Sequence, residues 1–179
     1  MTYRWFFVAL CVVSVAHGAE PCVSGLKEGQ KPGPYIASIA IGPNRGQPMC
    51  YICETADRPA MIVFARQMTD PLGKLLNKVD EALKDQPADG MRAWMTILGE
   101  EHTLDAVGKW GKDHAVTNIP IGVFDDLDGP PTYRLAREAE VTIVLYVKQK
   151  VVANFAFRAG ELNTESIAKV MEAVTKLKK

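Results

Sequence analysis

The chain has 179 residues, and its 21 basic residues (Lys and Arg) balance its 21 acidic residues (Asp and Glu), so the formal net charge is zero. Hydrophobic residues make up 47% of the sequence, which is enough to build the core of one globular domain of this length. Because the charge is balanced, neither nucleic acid nor an acidic membrane surface is predicted as a partner.

The N-terminus has the pattern of a secretory signal peptide over residues 1–18. Arg4 precedes an apolar run at 5–16, and the small-residue pattern Ala16-His17-Gly18 follows it. A membrane anchor is the alternative, but a run of about a dozen residues is shorter than the roughly 20 that a spanning helix needs. We therefore expect cleavage after Gly18 and export to the periplasm or the exterior of a bacterial cell, with no membrane attachment of the mature chain.

The mature chain keeps three of the four cysteines, because Cys11 leaves with the signal peptide. An oxidising compartment allows one intramolecular disulfide among Cys22, Cys50 and Cys53 and leaves one thiol over. The sequence leaves three roles open for Cys22. It exchanges with the Cys50/Cys53 pair, bonds one member of that pair permanently, or links to a second chain.

Residues 19–34 are rich in Gly, Pro, Lys and Glu, which predicts an extended leader that wraps onto the domain or stays mobile. The domain itself is expected over 35–179. It begins with a strand at 35–41 that ends in a turn at 42–46, and the cysteine pair follows directly. The apolar run Ala60–Ala65 is then typical of a strand buried on both faces.

A helix should begin at Thr69 or Asp70, which are good capping residues, with Pro71 in its first turn. Apolar residues at helical spacing continue it to about Asp85: Leu72, Leu75, Leu76, Val79 and Leu83. The later elements are predicted as a strand at 91–98, a helix at 103–114, a strand at 119–124, a short helix at 133–139, a hairpin of 141–147 and 151–157 turning at 148–150, and a helix at 164–177. This alternation predicts a largely parallel sheet in the first half of the domain.

The order of these elements, with the hairpin and the closing amphipathic helix, resembles that of a thioredoxin or peroxiredoxin domain. The resemblance covers 35–179 and implies an α/β, thioredoxin-like fold, in which helices flank a central mixed sheet. More narrowly, Gly46, the segment 49–53, Arg58-Pro59 and the strands at 64–66, 141–142 and 152–157 are similar to a group of secreted redoxin-like proteins from planctomycete-type bacteria that carry a displaced Cys-x-x-Cys.

The resemblance also shows where this chain departs from the usual pattern. In thioredoxins the Cys-x-x-Cys follows the first central strand and caps the next helix, whose N-terminus lowers the thiol pKa. Here Cys50 and Cys53 precede that strand, and the junction at 66–71 contains no cysteine. Glu140 stands where thioredoxins have a cis-proline ahead of the hairpin.

The leading hypothesis is thiol-disulfide exchange with protein thiols or disulfides through Cys50 and Cys53, in which the more exposed cysteine attacks and the other resolves. No cofactor is expected. Arg58 and Arg45 are candidates to stabilise a thiolate if the fold brings either within about 6 Å, and Glu54 opposes them.

Arg66 and Thr69 stand at the usual junction and are candidate binding residues for a peroxide or a small anion. A helix cap is the simpler role for Thr69.

Two other hypotheses remain open. In the first, the protein is a non-catalytic binding or scaffold protein of redoxin fold, and Cys50–Cys53 is a structural disulfide. In the second, Met49, Cys50 and Cys53 bind Cu(I), which favours soft sulfur ligands. His102 and His114 each lack a second histidine at metal-ligand spacing, so no complete metal site is predicted.

Overall fold

The computed structural model describes residues 20–84, 86–87 and 90–177. The predicted signal peptide at 1–18 lies outside the described residues, as does Asp85 at the expected end of the first long helix. In chain order the elements are β1 Ala37–Ile41, β2 Pro48–Met49, α1 Tyr51–Thr55, β3 Ala60–Ala65, α2 Asp70–Leu83, β4 Arg92–Leu98, α3 Leu104–Asp113, β5 Ile121–Phe124, a 3-10 turn Pro131–Tyr133, β6 Val141–Val147, β7 Lys150–Phe157 and α4 Thr164–Leu177.

The seven strands form one mixed sheet in the order β2-β1-β5-β4-β3-β6-β7. β3, β4 and β5 are parallel to one another, and β6, β7, β1 and β2 each run antiparallel to their neighbours. Every residue of β3 is buried, as expected for an apolar strand that is covered on both faces. The predicted α/β architecture is confirmed, including the parallel strands in its first half.

One face of the sheet is covered by the three long helices. α2 begins at its predicted cap, since the Thr69 hydroxyl accepts a hydrogen bond from the amide of Leu72 at 3.4 Å. The apolar stripe of α2 packs into the main core together with Val107 of α3 and Val170 of α4. Burial of these stripes stabilises the helices more than their intrinsic propensity does.

The opposite face is covered by the leader and by aromatic side chains instead of a long helix. Leu26 of the leader is 3% exposed and packs in a second core cluster with Phe64, Trp94 and Tyr133. The side-chain amide of Asn154 donates hydrogen bonds to the carbonyls of Ser24 (2.9 Å) and Leu26 (2.6 Å). Of the two expectations for the leader, the structure shows packing onto the domain from residue 20 onward.

The short helix predicted at 133–139 is wrong, because the structure has only the 3-10 turn Pro131–Tyr133 there. Arg134 adopts a left-handed backbone conformation (φ 54°), which a right-handed helix cannot continue through. The carbonyls of Ala136 and Ala139 accept hydrogen bonds from the Arg66 guanidinium, and the amide of Ala139 closes only a single turn onto the Ala136 carbonyl.

The hairpin turn is tighter than predicted. Lys148 and Gln149 both have positive φ (48° and 58°), as in a two-residue type I′ turn, whose twist matches that of the flanking strands. Lys150 therefore begins β7 instead of closing the turn.

A buried carboxylate fixes the loop between α3 and β5 to α2. Asp80 is 1% exposed and accepts hydrogen bonds from three consecutive amides, those of Thr117, Asn118 and Ile119, at 2.7–3.2 Å. The Thr117 hydroxyl and the Asn118 side-chain amide also donate to it. A buried charge is tolerated when hydrogen bonds saturate it in this way.

We expect Asp80→Ala to lower the free energy of unfolding by about 3 kcal/mol, because it leaves several buried donors without an acceptor. Urea denaturation followed by circular dichroism measures the change. Glu81→Ala, an exposed position on the same helix, is the control and should stay within about 0.5 kcal/mol of the wild type. An equal loss in the two variants would contradict this role for Asp80.

Two leader glycines allow a matched test of how the leader is held. Gly25 and Gly29 both have positive φ (86° and 81°), but a Cβ at Gly25 would lie 2.7 Å from the Thr142 side chain, whereas Gly29 has nothing within 4 Å. We expect Gly25→Ala to displace the leader and speed alkylation of Cys22 severalfold. Gly29→Ala carries the same backbone strain without the clash, so equal rates in the two variants would refute the expected displacement.

Candidate functional site

The cysteine pair lies on α1, a five-residue helix that the sequence analysis did not predict. Cys50 is its N-cap, and the Cys50 sulfur accepts a hydrogen bond from the amide of Cys53 at 3.4 Å. Arg58 closes the other end of α1, since its guanidinium donates to the carbonyls of Thr55 (3.1 Å) and Glu54 (2.6 Å). A helix of this length is too short to leave an apolar periodicity in the sequence.

Cys50 and Cys53 form a disulfide, with their Cα atoms 5.4 Å apart. Cys53 is exposed and Cys50 is half-buried. Cys22 is a free thiol, so within one chain Cys50 bonds Cys53 and Cys22 bonds neither of them. Of the two bonded residues, Cys53 is therefore the more accessible to a large partner molecule.

The disulfide and the usual redoxin junction belong to different parts of the sheet. α1 precedes β3 in the chain, whereas Arg66 and Thr69 follow it. Met49, directly before Cys50, lies in the edge strand β2, and β1, β5 and β4 separate β2 from β3. The pair is therefore displaced from the position that carries the cysteines of thioredoxins.

The two arginines proposed to stabilise a thiolate have different surroundings. Arg45 forms an ion pair with Asp105 of α3 at 2.5 Å and donates to the carbonyl of Ala40, so its charge is directed at α3. Arg58 lies in the loop after α1, the helix of the cysteines, and binds the carbonyls at its C-terminal end.

The two candidate binding residues at the junction have structural contacts. The Arg66 guanidinium donates to the carbonyls of Leu127, Ala136 (3.1 Å) and Ala139 (3.1 Å), and burial lowers the Arg66 pKa. Thr69 caps α2. Both residues thus hold the loops around the junction in place.

A cleft of about 480 Å³ runs beside α1. Its wall on this side is one face of the helix and the loop after it, formed by Tyr51, Glu54, Thr55 and Arg58. These positions follow helical spacing, whereas Cys50 and Cys53 fall on a different face. The disulfide therefore lies next to the cleft without lining it.

Tyr51 joins the disulfide ring to the core. Its ring centroid lies 5.8 Å from that of Trp94, and its buried hydroxyl has no hydrogen-bond partner among the described residues. Burial, with a smaller contribution from Glu54, raises the pKa of Tyr51 to about 12. Tyr51, one of the two residues between the cysteines, thus anchors α1 to the sheet.

Cys22 is held far from the disulfide. The thiol lies close enough to Arg158, just after β7, for its charge to act on the Cys22 pKa, and Arg158 also donates to the carbonyl of Glu20. The turn before the other end of β7 meets the loop after α1, where the backbone amide of Lys148 donates to the carbonyl of Asp57 at 3.1 Å. The length of β7 therefore separates Cys22 from the pair, which disfavours exchange within one molecule.

Metal ligands do not converge in the described part of the chain, where no group of three or more His, Cys, Asp or Glu residues is placed to hold an ion. Met49 lies in β2 directly before Cys50, and Cu(I) binding by Met49, Cys50 and Cys53 would require the reduced pair. His102 contacts the carbonyl of Arg66 and His114 that of Trp110. No helix within these same residues is long and apolar enough to cross a membrane.

The comparisons with known proteins identify the fold. No protein family and no curated protein matches the sequence. Among solved structures, a candidate protein disulfide isomerase from Bacteroides thetaiotaomicron aligns with a TM-score of 0.66 and 18% identity over 87% of this chain and 92% of that one. A secreted disulfide oxidoreductase from Mycobacterium tuberculosis, described as homologous to E. coli DsbE, aligns with a TM-score of 0.57 and 12% identity over 78% of this chain and 95% of that one.

A yeast mitochondrial 1-Cys peroxiredoxin also aligns, with a TM-score of 0.56 and 13% identity over 84% of this chain and 77% of that one. The chain therefore has the thioredoxin-like fold, as the resemblance in its sequence implied. The narrower similarity to secreted planctomycete-type redoxins stays a prediction.

The free thiol provides a test that depends on pH. Burial raises the pKa of Cys22, and the nearby Arg158 opposes this effect only in part. Because the thiolate is the reactive form, we expect the pH of half-maximal iodoacetamide alkylation of Cys22 to lie above that of the same protein unfolded in urea. The Cys50–Cys53 bond is kept oxidised in both samples. Identical midpoints would show that burial does not protect this thiol.

Proposed function

We propose that this protein is an exported thiol-disulfide oxidoreductase that acts on protein thiols or disulfides through Cys50 and Cys53. The observation that carries the proposal is the disulfide at the start of α1, in which Cys53 is an exposed residue and Cys50 is half-buried. Structural neighbours described as a disulfide oxidoreductase and a candidate disulfide isomerase are consistent with it.

The exchange begins at Cys53, the more exposed residue of the pair. A substrate thiolate attacks the sulfur of Cys53, the Cys50–Cys53 bond breaks, and Cys50 leaves as a thiolate. The amide of Cys53, which already donates to the Cys50 sulfur, stabilises that negative charge and favours its departure.

A second thiolate of the substrate then attacks the mixed disulfide at the sulfur that belongs to the substrate, not at that of Cys53. This step forms the substrate disulfide and releases the Cys53 thiolate, and both cysteines take up protons. Two electrons pass from the substrate dithiol to the pair. In the reverse direction Cys53 attacks a substrate disulfide and Cys50 resolves the mixed disulfide.

Export rests on the signal pattern at 1–18, and the periplasm or the cell exterior is the proposed location. The M. tuberculosis neighbour is described as secreted, which is consistent with this location. An oxidising compartment would return the reduced pair to the disulfide after each turnover.

The second candidate function is that of a non-catalytic binding or scaffold protein whose disulfide is structural. The observation that favours it is the position of the pair, which comes before β3 in the chain instead of at the usual junction after it and lies outside the wall of the cleft. In this case the bond only fixes the start of α1.

Single-cysteine variants separate the two candidates when Cys22→Ser is present in every protein, so that the leader thiol cannot react. We expect reduced Cys50→Ser to form a stable mixed disulfide with a peptide disulfide, because Cys53 attacks and no resolving thiol follows. Cys53→Ser should react more slowly, since Cys50 is half-buried. Mass spectrometry of the adducts measures both rates, and insulin reduction by the Cys22→Ser protein measures turnover.

A reduction potential below about −300 mV for the pair, with no insulin reduction, would contradict the redox proposal and favour the structural disulfide. Faster adduct formation through Cys50 than through Cys53 would reverse the assigned roles of the two sulfurs.

A further inference from the structure

A second cavity, of about 550 Å³, lies between β1 and α3 and is separate from the cleft beside α1. Ala40, Ile41 and Gly42 line it on the side of β1, and Gly108 of α3 and Val116 also line it. The volume falls within the range of small-molecule sites, and the surface of such sites is mostly apolar. We call this cavity the α3 groove.

Gly108 keeps the α3 groove open, although packing does not require a glycine there. A Cβ at Gly111, one turn further along the helix, would lie 2.1 Å from the side chain of Ile41, so contact between α3 and β1 demands a glycine at that position. A Cβ at Gly108 would meet only the carbonyl of Ala40, at 3.8 Å. A glycine inside a helix lowers helix stability by about 1 kcal/mol relative to alanine. At Gly108 the missing side chain leaves open space in the α3 groove.

The rim of the α3 groove is positively charged. Arg45, Lys109 and Lys112 line it together with a single acid, Asp105. Arg45 is paired with Asp105 and Lys109 with Asp113, each at 2.5 Å. Lys112 is exposed and has no ion-pair partner among residues 20–84, 86–87 and 90–177. One cation at the rim is therefore left to meet an anion.

We propose that the α3 groove binds an aliphatic carboxylate, with its hydrocarbon chain along Ala40, Ile41 and Gly108 and its carboxylate at Lys112. Contact with an apolar wall removes the methylene groups of the ligand from water, which favours binding. The ammonium of Lys112, which lacks an ion-pair partner among the described residues, selects a singly charged anionic headgroup over a neutral or cationic one. The site uses neither cysteine of the pair, so it is independent of the proposed redox function.

Titration with sodium decanoate below its micelle concentration tests the proposal. Chemical-shift changes in the wild-type protein should cluster on β1 and α3, and decanol and decyltrimethylammonium should bind at least about threefold more weakly, the size of one exposed charge interaction. Lys112→Gln should weaken decanoate binding by the same factor and leave decanol binding unchanged.

Gly108→Leu tests the hydrocarbon part of the site, because a leucine side chain fills the groove and also improves helix propensity. We expect it to weaken decanoate binding at least about tenfold, a loss typical of blocking an apolar contact. Ala106→Leu adds the same side chain at an exposed position of α3 outside the groove and should bind decanoate as the wild type does.

Three results would overturn the proposal. The first is the absence of saturable decanoate binding by the wild type. The second is equal binding of the three headgroups, which would indicate a nonspecific apolar surface. The third is unchanged decanoate binding by Gly108→Leu when its circular dichroism spectrum shows that it is folded.

Discussion

The structure depends on how the second face of the central sheet is covered. β3 is buried on both faces, and the long helices account for only one of them. On the other face, leader residues and an aromatic cluster exclude water, with Tyr35 at its centre. The hydroxyl of Tyr35 accepts a hydrogen bond from the indole of Trp94 at 2.9 Å and is 2.8 Å from the hydroxyl of Thr96. Burying these rings removes a large apolar area from water.

This aromatic face also fixes the cysteine pair. Tyr51 and Ile52, the two residues between the cysteines, both pack against the second core cluster. The pair is consequently held on the outside of α1 with its apolar spacer turned inward. A spacer that is bulky for a redox motif therefore has a structural explanation, since it replaces part of the helix cover that this face lacks.

Strong local signals were enough to predict most elements. β3 is uniformly apolar, and α2 has both a cap at Thr69 and a regular stripe, so packing only reinforced what the local sequence preferred. The helix predicted at 133–139 does not form, and carbonyls of this segment are bound by Arg66, about seventy residues earlier in the chain. The element α1 was missed because five residues carry no period. The sequence singled out both cysteines of the candidate site, but neither their unequal exposure nor the cleft beside them could be read from spacing alone.

The sequence by itself determined the order of the main strands and long helices and the displacement of the pair to the front of β3, because periodicity and capping are local properties. The resemblance of that order to a thioredoxin domain implied the fold. Only the tertiary structure decided that Cys50 bonds Cys53 and leaves Cys22 free. It also decided that the leader covers the sheet and that Gly108 leaves a groove open. These features depend on contacts between residues far apart in the chain, whose geometry is set when the two faces of the sheet are buried together.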